Sequence, residues 1–88
     1  MKPHKNLELW QQAMVLVQMV YEATSGFPRE ELFGLTNQMR RAAVSVPSNI
    51  AEGAGRGGEK EFLHFLNIAQ GSLSELDTQI EIAGMLNF

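Results

Sequence analysis

The sequence predicts an all-α protein, an up-down helical bundle with helices at about 7–25, 28–53 and 58–86. Three observations carry that prediction. Apolar residues recur at steps of three and four through three long segments, which places them along helical faces. Glycine and proline cluster at Gly26–Pro28 and at Gly53–Gly58, and these clusters read as the two connections. No segment shows the strict alternation of a half-buried strand. A chain of 88 residues allows one domain, spanning 1–88.

The first helix follows a polar tail, residues 1–6. Trp10, Ala13, Met14, Val17, Val20 and Tyr21 form its stripe, widened by Val15, Leu16 and Met19. Gly26 supplies a stop, because glycine readily takes the left-handed conformation after a helix end. Pro28 opens the second helix, where a missing N–H costs nothing. Glu30 and Glu31 favour a helix N-terminus by their charge. Leu35, Met39, Ala42, Ala43, Val46 and Ile50 then hold the period, with Pro47 inside it. A proline there removes one hydrogen bond and clashes with the preceding turn, so the helix is expected to kink at Pro47. Ser45, Ser48 and Asn49 stand near enough to satisfy the freed carbonyls. Pro47, Asn49, Glu52 and Gly53 together form the expected elbow toward the third helix.

That third helix is the most regular. Phe62, Leu66, Ala69, Leu73, Leu76, Ile80 and Ala83 alternate steps of four and three, the spacing of a heptad seam expected to be buried. Phe65, Ile68 and Ile82 lie off it and form a candidate oligomer interface, since a helix that is apolar on two sides has two neighbours. Asn87 suits a left-handed cap, with Phe88 packing back on the last turn.

Composition restricts function. The chain carries 7 basic and 10 acidic residues, a net charge of −3, which argues against strong nonspecific nucleic-acid binding. The 44% hydrophobic content excludes disorder. With no cysteine there is no disulfide framework and no thiolate metal site. Glu8, Gln11, Gln12 and Gln18 interrupt the N-terminal apolar stretch, so neither a signal peptide nor a membrane span is expected, and a cytoplasmic protein is.

Gly53, Gly55 and Gly58 match G-x-G-x-x-G. A dinucleotide turn needs a strand before that pattern, and helical spacing occupies the place. The glycines read instead as a flexible elbow. Arg56, Lys60 and the free N–H groups opening the third helix are a candidate anion contact. Arg40 and Arg41 are adjacent cations pointing about 100° apart, and join them as candidate nucleic-acid contacts. Glu52 and Arg56, four apart, are expected to pair if the helix reaches that far. His4 and His64 have no second ligand at a useful spacing, and the serines lack a nucleophile setting. No catalytic, cofactor-binding or metal-binding residue is expected, and the protein reads as no enzyme.

The stretches FPREELFGLTNQMRRAAVSVPSNIAEGAGR and EFLHFLNIAQGSLSELDTQIEIA resemble the four-helix-bundle proteins of the 23S ribosomal RNA intervening-sequence type. LTNQMRRAA, SVPSNIAEG and GSLSEL occur in the family's order and spacing, and the likeness runs from about Trp10 onward. The family also includes the accessory protein of diversity-generating retroelements. The resemblance implies an up-down bundle in a ring-like homo-oligomer, a homopentamer. For retroelement members it implies association with a reverse transcriptase and with RNA or DNA. Two departures accompany it. The family has Ser or Thr near Gly58, where glycine must cap with its backbone alone. It also has a fourth helix after the turn at Asn87 and Phe88, and three are present in this sequence.

Two functional expectations follow. The first is a nonenzymatic homo-oligomeric assembly or adaptor protein. The alternative is an RNA/DNA-binding accessory protein acting with a nucleic-acid-processing partner such as a reverse transcriptase.

Overall fold

A computed structural model describes residues 3–88, and the side chains from His4 onward. Three α-helices make the fold: α1 (Glu8–Thr24), α2 (Leu35–Gly55) and α3 (Glu59–Met85). No strand occurs among the described residues, and none of their helices is long and apolar enough to cross a membrane.

The helix ends follow from local chemistry, not always as the sequence suggests. Residues 3–6 are no free tail: they form a 3-10 turn, with the His4 ring edge-on to Trp10 at 5.0 Å. Gln11 Nε2 donates to the Lys5 carbonyl at 2.9 Å and ties the turn to α1. Gly26 does not take a left-handed conformation. Instead, Ser25 remains right-handed, its Oγ donates to the Glu22 carbonyl, and Phe27 N–H donates to Thr24.

The second helix starts seven residues later than Pro28 suggests. A short 3-10 turn covers Arg29–Glu31, and α2 begins at Leu35. Glu31 still serves that helix. Its Oε1 accepts the Leu35 N–H at 3.0 Å, satisfying an otherwise free donor and placing negative charge at the positive end. Gly34 accommodates this cap, because a Cβ there would stand 2.8 Å from the same Oε1.

α2 runs helical through Pro47 and past Gly53 to Gly55, and the turn to α3 falls at Arg56–Gly58. Gly57 supplies it with φ +80°, a conformation that disfavours other residues. Thus Pro47, Asn49, Glu52 and Gly53 all lie within the helix, and the elbow is three residues of turn beyond them. Asn49 Nδ2 donates to the Ser45 carbonyl and to Ser45 Oγ. The carbonyl freed by Pro47 is that of Ala43, so this amide does not replace the missing donor. α3 ends as expected: Asn87 has φ 61°, Phe88 N–H donates to the Ala83 carbonyl, and the Phe88 ring sits 5.5 Å from Phe27.

α2 is the central element. α1 and α3 each lie against it, while no Cα of α1 comes within 8 Å of one in α3. One core cluster joins Val20 of α1, Leu35, Met39, Ala42 and Ala43 of α2, and Leu76 and Ala83 of α3. A second joins Ala13, Val46, Ile50 and Ala69. Both pairings bring the end of one helix to the start of the next, the sense of an up-down bundle. Alanines at the α2–α3 contact let the backbones approach, and burial of Ile50 and Leu76 supplies about 1.5–3 kcal/mol each.

The seam of α3 departs from the expected one at two positions. Phe62, Phe65, Leu66, Ala69, Ser72, Leu76, Gln79 and Ala83 are its buried and half-buried residues. Of the expected seam Phe62, Leu66, Ala69, Leu76 and Ala83 keep their places, Leu66 against the second core cluster. Leu73 and Ile80, expected on the seam, are 41% and 49% exposed. Two polar residues take their places. Ser72 Oγ meets Ser45 Oγ at 2.8 Å, and Gln79 donates to Glu75 while its own Oε1 is buried without a donor.

Candidate functional site

The turn between α1 and α2, together with the outer side of α2, forms a cleft of about 590 Å³. Tyr21, Leu32, Phe33, Thr36, Asn37, Arg40, Arg41, Val44 and Ser45 line it. Helical spacing explains the set: positions 37, 40, 41, 44 and 45 fall on the side of α2 away from buried Met39, Val46 and Ile50. No aspartate or glutamate occurs from Leu32 to Ala51, so the cleft has two cations and no carboxylate in a chain of net charge −3.

Arg40 is held in place. Its Nε donates to Thr24 Oγ1 at 2.9 Å, and that hydroxyl donates to the Val20 carbonyl at 2.8 Å. Its guanidinium carbon lies 4.6 Å from the centre of the Tyr21 ring, a cation–π contact. The bond uses Nε alone, leaving the two Nη groups without a partner among the described residues. Half-buried Arg40 therefore presents the terminal fork that suits an oxyanion. Arg41 is exposed beside it, and Phe33, at the rim, is 91% exposed.

The four candidate cations do not gather into one patch. Arg40 and Arg56 are sixteen positions apart, about 24 Å along a helix. Arg56 is also occupied: its Nε pairs with Glu52 Oε2 at 3.0 Å, and its guanidinium lies 5.1 Å over Phe65. Lys60 is exposed in the first turn of α3 between Glu59 and Glu61, whose carboxylates already complement that helix end. His64 is exposed and edge-on to Phe65.

The glycine pattern is a packing device. Gly53 is buried, and a Cβ on it would stand 2.8 Å from Phe65 Cβ and 3.1 Å from Phe62 Cδ1. Gly55 and Gly58 face open space. Of the candidate interface residues, Phe65 is half-buried against α2, whereas Ile68 and Ile82 are 40% and 36% exposed.

A second concavity, of about 380 Å³, lies between α1 and α3. Met39 is at its floor, with Leu16, Met19, Val20, Ala23 and Phe27 on one side and Ile80, Ala83, Gly84 and Phe88 on the other. Every lining residue is apolar or glycine.

Sequence reasoning found Arg40 and Arg41 but missed Thr24, Tyr21 and Phe33 as their companions. The signals were a threonine on the core side of α1 and a phenylalanine within a turn, between Glu31 and Gly34. No curated protein matches the chain. The family model described as 23S rRNA-intervening sequence protein matches residues 5–88, and the chain belongs to that family.

Proposed function

We propose that the protein is a nonenzymatic homo-oligomeric assembly or adaptor module. One observation carries this reading: α3 leaves apolar side chains exposed on both of its sides, Leu73 and Ile80 at 41% and 49% and Ile68 and Ile82 at 40% and 36%, more than one neighbouring helix covers. Continuous apolar surface of this kind marks a contact surface more often than a solvated face. In an assembly, helices of neighbouring copies cover it, and the ring of five implied by the family resemblance is the expected form.

The nucleic-acid accessory reading has less support. Its four cations fall into two separated pairs, one of them partly neutralised by Glu52. Light scattering over a hundredfold range of protein concentration tests the assembly reading. A defined multimer that persists to low micromolar concentration is expected, and a monomer throughout would overturn it.

A further inference from the structure

Arg40 is a half-buried cation to which the chain brings no anion. The one ion pair among the described residues is Arg56–Glu52. The closest acid along the sequence, Glu31, has its Oε1 on the Leu35 N–H. Taking a guanidinium partly out of water costs solvation, which a paired anion ordinarily offsets. Here its partners are neutral: the hydroxyl of Thr24, itself 2% exposed, and the Tyr21 ring. These partners also decide which donors remain. A guanidinium meets a carboxylate side-on through Nε or end-on through its two Nη groups. Thr24 Oγ1 occupies Nε, so the end-on edge is left, able to donate two parallel bonds to one carboxylate. Around this edge the cleft is apolar: Tyr21, Leu32, Phe33 and Val44 line it and are all exposed. Its volume of about 590 Å³ is that of a small-molecule site.

We infer that this cleft binds a small organic carboxylate with an apolar, ring-sized body, the carboxylate end-on to Arg40 and the body against Leu32, Phe33 and Val44. Arg41, exposed beside Arg40, adds positive charge that draws the anion in. The fork is set before the ligand arrives, because Thr24 and Tyr21 already hold it, and a preorganised donor loses less entropy on binding. The apolar surround suits a carbon skeleton better than inorganic phosphate. A nucleic-acid strand fits less well, since its affinity comes from a row of phosphate contacts. The next cation along the chain, Arg56, is paired with Glu52. The site lies on α1, α2 and the turn between them, whereas the assembly reading rests on α3, so either can fail without the other.

Titrations followed by amide-resolved NMR test this, with N-acetylphenylalanine, its uncharged amide N-acetylphenylalaninamide, and inorganic phosphate as probes. The acid is expected to bind with a dissociation constant of about 1 mM or below, shifting the signals of residues 32–45. The amide and phosphate should each bind about tenfold more weakly, the first lacking the charge and the second the apolar body. Arg40→Lys keeps the charge and loses the fork, and should weaken the acid about tenfold. Phe33→Ala removes a side chain that is 91% exposed and touches little in its own fold. It should weaken the acid several-fold with helix content unchanged by circular dichroism, and it decides the matter alone if Arg40→Lys loses helix. No shift in the cleft with the acid at about 10 mM, ten times that constant, would overturn the inference. Acid and amide binding alike would overturn it by leaving an apolar surface only, and phosphate binding as tightly as the acid by leaving a cation only. Single-stranded RNA that binds more tightly than the acid, and is lost in Arg40→Lys, would give the cleft to nucleic acid instead.

Discussion

Gly53 on α2 and Phe65 on α3 are packed so closely that a Cβ on the glycine would lie 2.8 Å from the phenylalanine Cβ. Phe62 crowds the same place, with its carbonyl oxygen 3.3 Å away. The contact is backbone against the root of a side chain, so a rotamer change cannot relieve it. Gly53→Ala would gain up to about 1 kcal/mol of helix propensity. Overpacking costs about 1–3 kcal/mol and is expected to prevail. Urea unfolding should show a net loss of about 1 kcal/mol; a stabilised variant would mean that α2 and α3 separate here with ease.

The other glycines of the run separate two effects that Gly53 combines. Gly55 is helical and meets nothing within 4 Å, so Gly55→Ala should stabilise by about 0.5–1 kcal/mol. Gly57 also meets nothing, but its φ is +80°. Gly57→Ala should therefore cost about 1–2 kcal/mol through backbone strain alone. Melting temperatures shifted in opposite directions are the expected result. Equal shifts would show that the turn does not need the left-handed residue.

Much of this fold was legible in the sequence because its signals are local. Three apolar periodicities gave three helices, Asn87 gave a left-handed cap, and a four-residue spacing gave the Glu52–Arg56 pair. The misplaced features depend on competition between local signals. Pro28 is a sound helix opener, yet Gly34 and the Glu31 carboxylate provide a better start at Leu35. Gly26 is a sound stop, yet Ser25 and Phe27 complete the turn without it. The candidate site was half legible. Two adjacent arginines are visible in any reading, but the Thr24–Arg40 bond joins residues sixteen apart on different helices. No periodicity encodes that contact.

Pro47 lies in the middle of α2, is buried, and has no N–H to give the Ala43 carbonyl. The amide of Asn49 turns to Ser45 instead. Pro47→Ala supplies the missing donor and removes the clash of the ring with the preceding turn. We expect α2 to straighten at this position and to meet α3 at an altered angle. The check is a pair of structures, parent and variant, compared by the angle between 35–46 and 48–55. An unchanged angle would show that Pro47 imposes no bend.

Leu73 and Leu76 give the last prediction, because they are three residues apart and differ sharply in burial. Leu76 is 2% exposed in the core shared with α2, whereas Leu73 is 41% exposed. A perfect four-three apolar seam would place both inside. It is broken by Ser72 and Gln79, which turn inward and leave Leu73 and Ile80 on the shoulder of the helix. Leu76→Ala should cost about 2–5 kcal/mol, as truncation of a buried leucine does. A domain of this size has a total stability of about 5–10 kcal/mol, so that loss brings it near unfolding. Leu73→Ala should cost about 1 kcal/mol or less when the chain is dilute and monomeric. If neighbouring copies cover the shoulder, the same substitution becomes costly once the protein is concentrated enough to assemble. Chemical denaturation of both variants at low and high protein concentration resolves these terms. A Leu73→Ala penalty that is small at both concentrations would show that this shoulder stays in water.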